Sequence, residues 1–284
     1  MSEVVVGSDA ALTEYQLRRW YRKVFPDVYL PKGREPTLTD RTLGAWLWSR
    51  RRAVVAGVAA SALHGAQWVD ADEPIELITK SARAHRGLVV RDETATADEV
   101  TYVTRQSVTF PVTSVSRTAF DLGRHLPRGL AVARLDALMR ATPFSSEDVA
   151  VLAKCYRGAR GVRRLREVLP LVDGGAASPK ETWLRLLLID AGLPKPATQI
   201  PVNQGWRLIG ALDLGWEEYG VALEYDGDQH RTDRRQFVKD IDRLAAIQDQ
   251  GWIVIRVVAE HRPDDIVGQA YEALTRRGYR RGRR

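Results

Sequence analysis

Apolar and polar positions change their spacing twice along this chain. Helical spacing, or helix-compatible composition, predicts helices over 12–25, 40–51, 54–63, 129–139, 145–154 and 162–168, and over the second half of 112–123. Between these lie three alternating segments, at 75–79, 88–90 and 100–103, each bounded by polar or glycine-containing stretches. They predict a small antiparallel sheet, so the first half of the chain is expected to combine helices with one sheet.

The C-terminal third has the more informative pattern. Residues 208–212 and 221–225 read as two strands of a hairpin, with Gly215 and Gly220 around the turn. Because side chains alternate along a strand, Glu224 and Asp226 point to the same face. The hairpin then brings Asp213 beside them. Residues 233–250 predict a helix, and the almost continuously apolar segment 252–258 predicts a strand in the middle of a sheet covered on both faces.

Three carboxylates gathered in this way favour a metal site. Unit negative charges repel by roughly 4 kcal/mol per pair at ~4 Å and an effective dielectric near 20. Hard oxygen ligands of this kind select Mg²⁺ or Mn²⁺, and Mg²⁺ usually takes one or two carboxylates together with substrate phosphate oxygens. Such an ion polarises a phosphodiester and makes hydroxide available near neutral pH. The residues alone therefore suggest a metal-dependent phosphodiesterase.

The same residues resemble a known family. Asp213, followed by Glu-Tyr-Asp-Gly-Asp-Gln-His over 224–230, is similar to the core of the PD-(D/E)XK nucleases, in the branch related to very-short-patch-repair endonucleases and DUF559. Ser-Pro-Lys-Glu at 178–181, Lys-Asp-Ile-Asp-Arg at 239–243 and the strand at 251–256 agree with it. The resemblance covers about residues 178–275. Asp226 stands where many members of the superfamily carry lysine, as it does in the DUF559-like branch.

The resemblance implies an endodeoxyribonuclease and assigns its residues. Mg²⁺ or Mn²⁺ would be held by Asp213, Glu224 and Asp226, and the catalytic set would be completed by Glu181 and His230. Gln229, Asp240 and Arg243 would support the edge of the site. Ser178 and Glu181 are equally well explained as a helix-capping box, and this alternative stays open. The same metal chemistry would act on RNA, and the sequence does not distinguish the two substrates.

Composition supports a polyanionic partner. The chain of 284 residues carries a formal net charge of +7, which favours nucleic acid without specifying a fold. Its basic positions concentrate in the stretch 157–166 and in the C-terminal tail. We expect phosphate contacts from Arg157, Arg160, Arg163, Arg164, Arg280 and Arg281, with solvated helix surface as the alternative for the first four. One cysteine and the lack of a membrane-spanning apolar run or signal peptide predict a cytoplasmic protein without a membrane partner.

A second resemblance covers about residues 10–142. Val-Tyr-Leu-Pro at 28–31, Ala-Ala-Ser-Ala-Leu-His-Gly at 59–65 and the segment 111–122 are similar to AbiEi-type proteins of abortive-infection toxin–antitoxin systems. The resemblance implies a binding or regulatory domain whose partner is a toxin or another defence-system protein. Arg117 and Asp121, four residues apart on one helix, are expected to form an ion pair rather than a functional site.

Together these patterns predict an α+β protein. Residues 1–142 form the AbiEi-like domain, 143–177 a helical connector and linker, 178–275 a restriction-endonuclease-like mixed sheet flanked by helices, and 276–284 a basic tail that is disordered when free. The predicted function is metal-dependent hydrolysis of DNA phosphodiester bonds, in phage defence or DNA repair. The alternative is a non-catalytic, antitoxin-like protein that binds DNA or a partner and regulates transcription. The sequence leaves the oligomeric state open.

Overall fold

The computed structural model describes residues 4–80, 83–226 and 234–280. It divides into two compact units, Met1–Val172 and Asp173–Arg284. Both units combine helices with a mixed sheet, which confirms the predicted α+β class. Among the helices in the described ranges, none is both long enough and apolar enough to cross a membrane.

The N-terminal unit contains eight strands and seven α-helices within its described residues. The strands are β1 Val5–Val6, β2 Tyr21–Phe25, β3 Val28–Pro31, β4 Val54–Ala56, β5 Ile75–Ile78, β6 Leu88–Arg91, β7 Val100–Arg105 and β8 Val108–Thr113. The helices are α1 Glu14–Trp20, α2 Leu38–Trp48, α3 Gly57–Leu63, α4 Val115–His125, α5 Arg128–Ala141, α6 Ser146–Cys155 and α7 Val162–Val168.

The helix predicted over 12–25 is too long. Thr13 and Gln16 form a capping box that starts α1, but the helix ends at Trp20 and the chain continues as β2. Strand β2 pairs antiparallel with β3, which also pairs with β1, so a three-stranded sheet is formed. Phe25 is buried in the core by this pairing. Long-range pairing therefore overrides the local helical spacing.

The predicted antiparallel sheet is larger than expected and mixed. Its five strands have the order β6-β5-β4-β8-β7, with parallel pairs β5–β6 and β4–β8. The central strand β4 lies in a segment that composition assigned to a helix, and only Gly57–Leu63 of that segment is helical. Val55 and Ala56 are fully buried there. A strand of three residues is too short to show a period of its own, which is why the pattern missed it.

Helices α6 and α7 pack against α4 and lie within the N-terminal unit. Their buried residues include Val149, Val162 and Leu165. The segment assigned to a helical connector is therefore part of the N-terminal unit up to Val172. The boundary between the units falls at the start of the glycine-containing stretch that the sequence marks as a joint.

The C-terminal unit contains one four-stranded sheet and three helices in its described part. They are α8 Pro179–Asp190, β9 Ala197–Gln204, β10 Arg207–Trp216, β11 Val221–Tyr225, α9 Arg234–Asp249, β12 Ile253–Val257 and α10 Pro263–Arg276. The sheet order is β12-β11-β10-β9, antiparallel except for the parallel pair β11–β12. Helices α8 and α10 contribute to one hydrophobic cluster with β11, and α9 contributes Ile247 to another.

Two predictions for this unit need correction. Strand β12 lies at the edge of the described sheet, not in its middle. Helices α9 and α10 both contact β12, so its apolar residues are covered although only one strand pairs with it. The expected disordered tail is also ordered at its start, because Tyr279 packs against Tyr219 with ring centroids 5.7 Å apart. Residues 281–284 lie outside the described ranges.

Candidate functional site

The pairing of β10 with β11 sets the position of the predicted acidic residues. Leu214 pairs with Leu223, and the next residues along the two strands are Asp213 and Glu224. The Tyr225 backbone N–H donates to Asp213 Oδ2 at 3.1 Å. The hairpin therefore brings Asp213 to the Glu224-Tyr225-Asp226 segment, as the alternation of side chains predicted.

Gly215 permits this pairing. It lies opposite Ala222, and a Cβ atom at position 215 would be 2.5 Å from the Val221 carbonyl oxygen and 3.0 Å from Ala222 Cα. Real Cβ atoms do not come so close to backbone, so the two strands could not keep their separation with a side chain at this position. The close approach fixes β11 beside β10 two residues away from Asp213.

One cavity of about 270 Å³ collects most of the predicted site. Its lining includes the predicted residues Asp213, Glu224, Asp226, Asp240 and Arg243, together with Ala211, Tyr225, Leu244 and Arg256. The carboxylates come from β10, β11 and the residue after β11, and Asp240 and Arg243 come from α9. Residues separated by up to 45 positions in sequence thus converge on one surface of the C-terminal unit.

Asp213 is the carboxyl group with the most perturbed environment in this cavity. Its pKa is raised to about 7, first by burial and then by the negative charges of Glu181 and Glu224. The hydrogen bond from Tyr225 and the positive charge of Arg243 act in the opposite direction. Near neutral pH, Asp213 is therefore divided between its protonated and ionised forms, and a cation in the cavity would favour the ionised form.

Arg243 binds Glu224 through both terminal guanidinium nitrogens. Its NH1 donates to Glu224 Oε1 at 2.8 Å and its NH2 to Oε2 at 3.1 Å. Glu224 is only 8% exposed, so this bidentate pair compensates a largely buried charge. The hydrogen bonds to Glu224 also raise the pKa of Arg243. The side chain that we predicted as edge support is thus a direct partner of a predicted metal ligand.

Asp226 has a similar partner that sequence reasoning missed. Arg256 of β12 forms an ion pair with Asp226 and lines the same cavity. The parallel register of β11 and β12 aligns Arg256 with Glu224. A single charged residue inside the apolar run 252–258 was the available signal, because a charge in a strand predicted to be covered on both faces needs a partner. In the structure Arg256 is itself exposed.

Ser178 caps α8 as predicted, but the Glu181 side chain accepts from the Ala177 N–H and not from the Ser178 N–H of a full capping box. Ser178 Oγ accepts from the Glu181 N–H at 3.2 Å, and Glu181 Oε2 accepts from the Ala177 N–H at 2.8 Å. Ser178 Oγ also donates to Glu181 Oε1 at 3.0 Å, and Gln199 donates to Oε2 at 3.4 Å. Glu181 nevertheless acts on Asp213 through its charge. Capping is therefore observed, and a role toward a metal remains a prediction.

Other predicted residues lie elsewhere. Gln229, His230 and Arg281 fall outside the described residues. Arg157, Arg160, Arg163 and Arg164 are exposed residues of α7 and the loop before it, in the N-terminal unit, and Arg280 is exposed near the C-terminus. Arg163 pairs with Glu167, and Arg164 donates to the Leu126 carbonyl at 3.1 Å. These contacts leave the four N-terminal arginines at the surface, where phosphate contact remains a prediction.

The carboxylates of the cavity differ in how well they fit a divalent cation. Asp213 fits such an ion, because no lysine or arginine in the described part of the chain forms a salt bridge with it and its ionised form is disfavoured. Glu224 and Asp226 already have arginine partners. Within the described ranges, no group of three or more His, Cys, Asp or Glu side chains is arranged to hold a metal. An ion would therefore be bound by Asp213 together with a carboxylate oxygen shared with an arginine.

Comparison with known proteins adds relatives but no activity. No family model matches the chain. It is similar to two uncharacterized proteins of Mycobacterium tuberculosis, one from strain H37Rv and one from strain CDC 1551, at 32% identity over 148 residues in each case. The alignments cover 52% of this chain, which spans about 55% of the length of each relative. The resemblances to DUF559-like nucleases and AbiEi-type proteins remain predictions.

Proposed function

We propose that the C-terminal unit is a metal-dependent endonuclease that hydrolyses DNA phosphodiester bonds. The observation that carries this proposal is the raised pKa of Asp213 in a cavity shared with Glu224 and Asp226. Carboxyl groups held where their charge is disfavoured are enriched at functional sites, because a folded protein keeps such an arrangement only against its own stability. The resemblance to the PD-(D/E)XK core, carried by the same residues, supplies the reaction class.

Five residues of the cavity have roles in this proposal. Asp213 and Glu224 would hold Mg²⁺ or Mn²⁺, with Asp226 and Glu181 adding negative charge nearby. The bound ion would polarise the phosphodiester and lower the pKa of a water molecule. Arg243 and Arg256 would compensate the charges of Glu224 and Asp226 when no ion is bound, and guanidinium groups of this kind also bind phosphate oxygens. His230 keeps its predicted role as general base, by resemblance alone.

The N-terminal unit would be a binding or regulatory domain. Its resemblance to AbiEi-type proteins suggests a toxin or another defence-system protein as partner, and its exposed arginines would add contacts to nucleic acid. RNA remains an alternative substrate, because the metal chemistry is the same. The activity, substrates and partners of the whole protein are part of this proposal.

The test is cleavage of plasmid DNA by the purified full chain. We expect nicking or cutting with Mg²⁺ or Mn²⁺ and none with a chelator. Asp213→Ala should abolish the activity, because it removes the carboxylate that is most available to an ion. Glu217→Ala, which changes an exposed carboxylate of the same unit, is the matched control and should retain activity. Metal-dependent cleavage that survives both Asp213→Ala and Glu224→Ala would overturn the proposal.

A second candidate function is favoured by the two arginine pairs. Arg243 and Arg256 already compensate Glu224 and Asp226 without a metal, as expected if the nuclease fold serves as the scaffold of an antitoxin-like regulator that binds DNA or a partner. That protein would have no measurable affinity for Mn²⁺, and Asp213→Ala would leave its DNA or partner binding unchanged. Calorimetric titration with Mn²⁺ separates the two candidates, since the nuclease requires binding that Asp213→Ala removes.

A further inference from the structure

A second cavity of about 440 Å³ adjoins the acidic one at Tyr225, which lines both. Its wall includes Lys180 and Trp183 of α8 and His261 from the segment before α10. We refer to Lys180, Trp183, Tyr225 and His261 as the aromatic cleft. All of these residues belong to the C-terminal unit, and none was assigned a role from sequence.

The aromatic cleft combines ring surfaces with positive charge. The rings of Trp183 and Tyr225 meet edge to face, with centroids 6.4 Å apart and an interplanar angle of 83°. Lys180 Nζ lies 5.8 Å from the Tyr225 ring centroid. Trp183 is 41% exposed, so a large part of its surface is accessible to a ligand. The cleft thus offers an accessible indole, a second ring and an ammonium group.

His261 adds a further polar group. The Val258 N–H donates to His261 Nδ1 at 3.5 Å. The other ring nitrogen, Nε2, is then left for a ligand, to which it donates in the tautomer that this contact favours. Lys180 and His261 are both exposed, and neither forms a salt bridge with a carboxylate in the described part of the chain. The cleft therefore favours an anionic ligand that also carries a flat ring.

We propose that the aromatic cleft binds an unpaired nucleobase and its phosphate, beside the acidic cavity. Bases stack on aromatic side chains in proteins that bind single strands, and lysine and histidine contact the backbone phosphates. An apolar peptide would use the rings but would leave Lys180 and His261 without a counterpart. The inference deepens the proposed nuclease and rests on it for the identification of the ligand as nucleic acid.

Tyr225 connects the two cavities. Its backbone N–H binds Asp213, and its side chain belongs to the aromatic cleft. A base that stacks against the cleft is therefore held at a fixed place relative to Asp213 and to Glu224, the neighbour of Tyr225 on β11. The consequence is a preference for single-stranded or frayed nucleic acid, because a base inside a duplex does not expose its faces.

The chain offers a matched control for Trp183. Trp206 is 97% exposed and lies in the same unit, in the two-residue turn between β9 and β10. It does not line the aromatic cleft. Replacement of either tryptophan removes an indole that is largely or partly in solvent, so both variants should fold.

The experiment measures binding of a labelled oligothymidylate of about twelve nucleotides to the full chain by fluorescence anisotropy, with a chelator present. Trp183→Ala should weaken binding by about fivefold to a hundredfold, the range expected for loss of one stacked base. Trp206→Ala should change it less than about twofold, and Trp183→Phe should restore most of the affinity. Lys180→Ala should reduce the slope of log K against log salt by about 0.7.

The inference would be overturned if Trp183→Ala and Trp206→Ala weakened binding of the single strand equally, or if neither weakened it. It would also be overturned if Trp183→Ala weakened binding of a blunt duplex of the same length as much as it weakens binding of the single strand. A chelator prevents cleavage, so the result does not depend on the nuclease. Binding that depends on Trp183, without metal-dependent cleavage, would support the proposal for the cleft and contradict the proposal of a nuclease. Metal-dependent cleavage, without binding that depends on Trp183, would contradict only the proposal for the cleft.

Discussion

The two units bury charge in opposite ways. In the N-terminal unit, Arg117 is completely buried and binds Asp121 at 3.1 Å and also Glu99. Arg124 binds Asp121 from the other side at 3.0 Å, and Tyr156 donates to Glu99 at 2.8 Å. Every charge in this buried network has an opposite partner. Burial alone would lower the pKa of Arg117, but Asp121 and Glu99 raise it above its ordinary value.

The acidic cavity of the C-terminal unit is only partly compensated. Glu224 and Asp226 have arginines, whereas Asp213 has a backbone amide and no salt bridge within the described part of the chain. Burial raises the pKa of Asp213 as it does that of Asp121, but only Asp121 has arginine partners. A closed network of opposite charges needs no ligand and holds helices and loops together. A carboxyl group whose charge remains disfavoured beside an open cavity is poised to bind a cation. The two regions show that the presence or absence of oppositely charged partners, rather than burial or charge alone, distinguishes a structural cluster from a candidate site.

The largest expected effect is in the buried network. Arg117→Met leaves Asp121 and Glu99 without their central partner and should lower the free energy of unfolding by about 3–5 kcal/mol. Arg163→Met, which breaks an exposed pair on α7, should lower it by less than about 0.5 kcal/mol. Urea denaturation of the full chain measures both. A loss below about 1 kcal/mol for Arg117→Met would show that the network is not structural.

A smaller effect of opposite sign is expected at Asp213. Its pKa is near 4 in the unfolded chain and about 7 in the folded protein. As the pH rises, the unfolded chain ionises first, so this group lowers the free energy of unfolding between about pH 4 and 7. Asp213→Asn keeps a side-chain oxygen that accepts from the Tyr225 N–H, and it removes this pH-dependent loss of stability.

We therefore expect Asp213→Asn to stabilise the metal-free protein by about 1–3 kcal/mol at pH 8, after allowance for solvent access, and to have little effect near pH 3. Glu217→Gln, at an exposed carboxylate, should show no such pH dependence. Denaturation in chelator at the two pH values provides the measurement. If Asp213→Asn destabilised the protein at pH 8, Asp213 would have a structural role like that of the charges in the buried network.

The smallest effect tests the partial compensation. Arg243→Met frees both oxygens of Glu224 and should tighten Mn²⁺ binding by about fivefold, equivalent to about 1 kcal/mol. Arg207→Met, an exposed arginine of the same unit, should leave the affinity unchanged. Isothermal titration calorimetry gives both constants. Weaker binding by Arg243→Met would mean that Arg243 helps to hold the carboxylate in place for the ion, instead of competing with it.

Much of the acidic cavity was predictable because a strand alternates its side chains locally. Glu224 and Asp226 share a face for that reason alone, and a hairpin needs only a short connection to add Asp213. Arg243 and Asp240 were included through the resemblance. Arg256 was not, because the parallel pairing of β11 with β12 joins residues about thirty positions apart and leaves no local period.

The errors in the N-terminal unit have the same origin. Tyr21–Phe25 and Val54–Ala56 are compatible with a helix by spacing or composition, yet both become strands because β3, β5 and β8 pair with them. The helix predicted in the second half of 112–123 was found, since Ser114 caps α4 locally, although the helix runs from Val115 to His125. Helices with local caps and strands with a periodic or apolar pattern of their own were thus found, and strands whose evidence lies only in a distant partner were not. The aromatic cleft, built from three separate segments, was not predicted either.

Gly215 carries no functional group, yet the spacing of the acidic cavity depends on it. Any larger residue there would meet the backbone of β11 and would shift Glu224 and Tyr225 relative to Asp213. The proposed chemistry is therefore vulnerable at a residue that would never be chosen as a catalytic candidate. A homologous chain that retained every acidic residue but carried a side chain at this position would be a poor choice for an active enzyme.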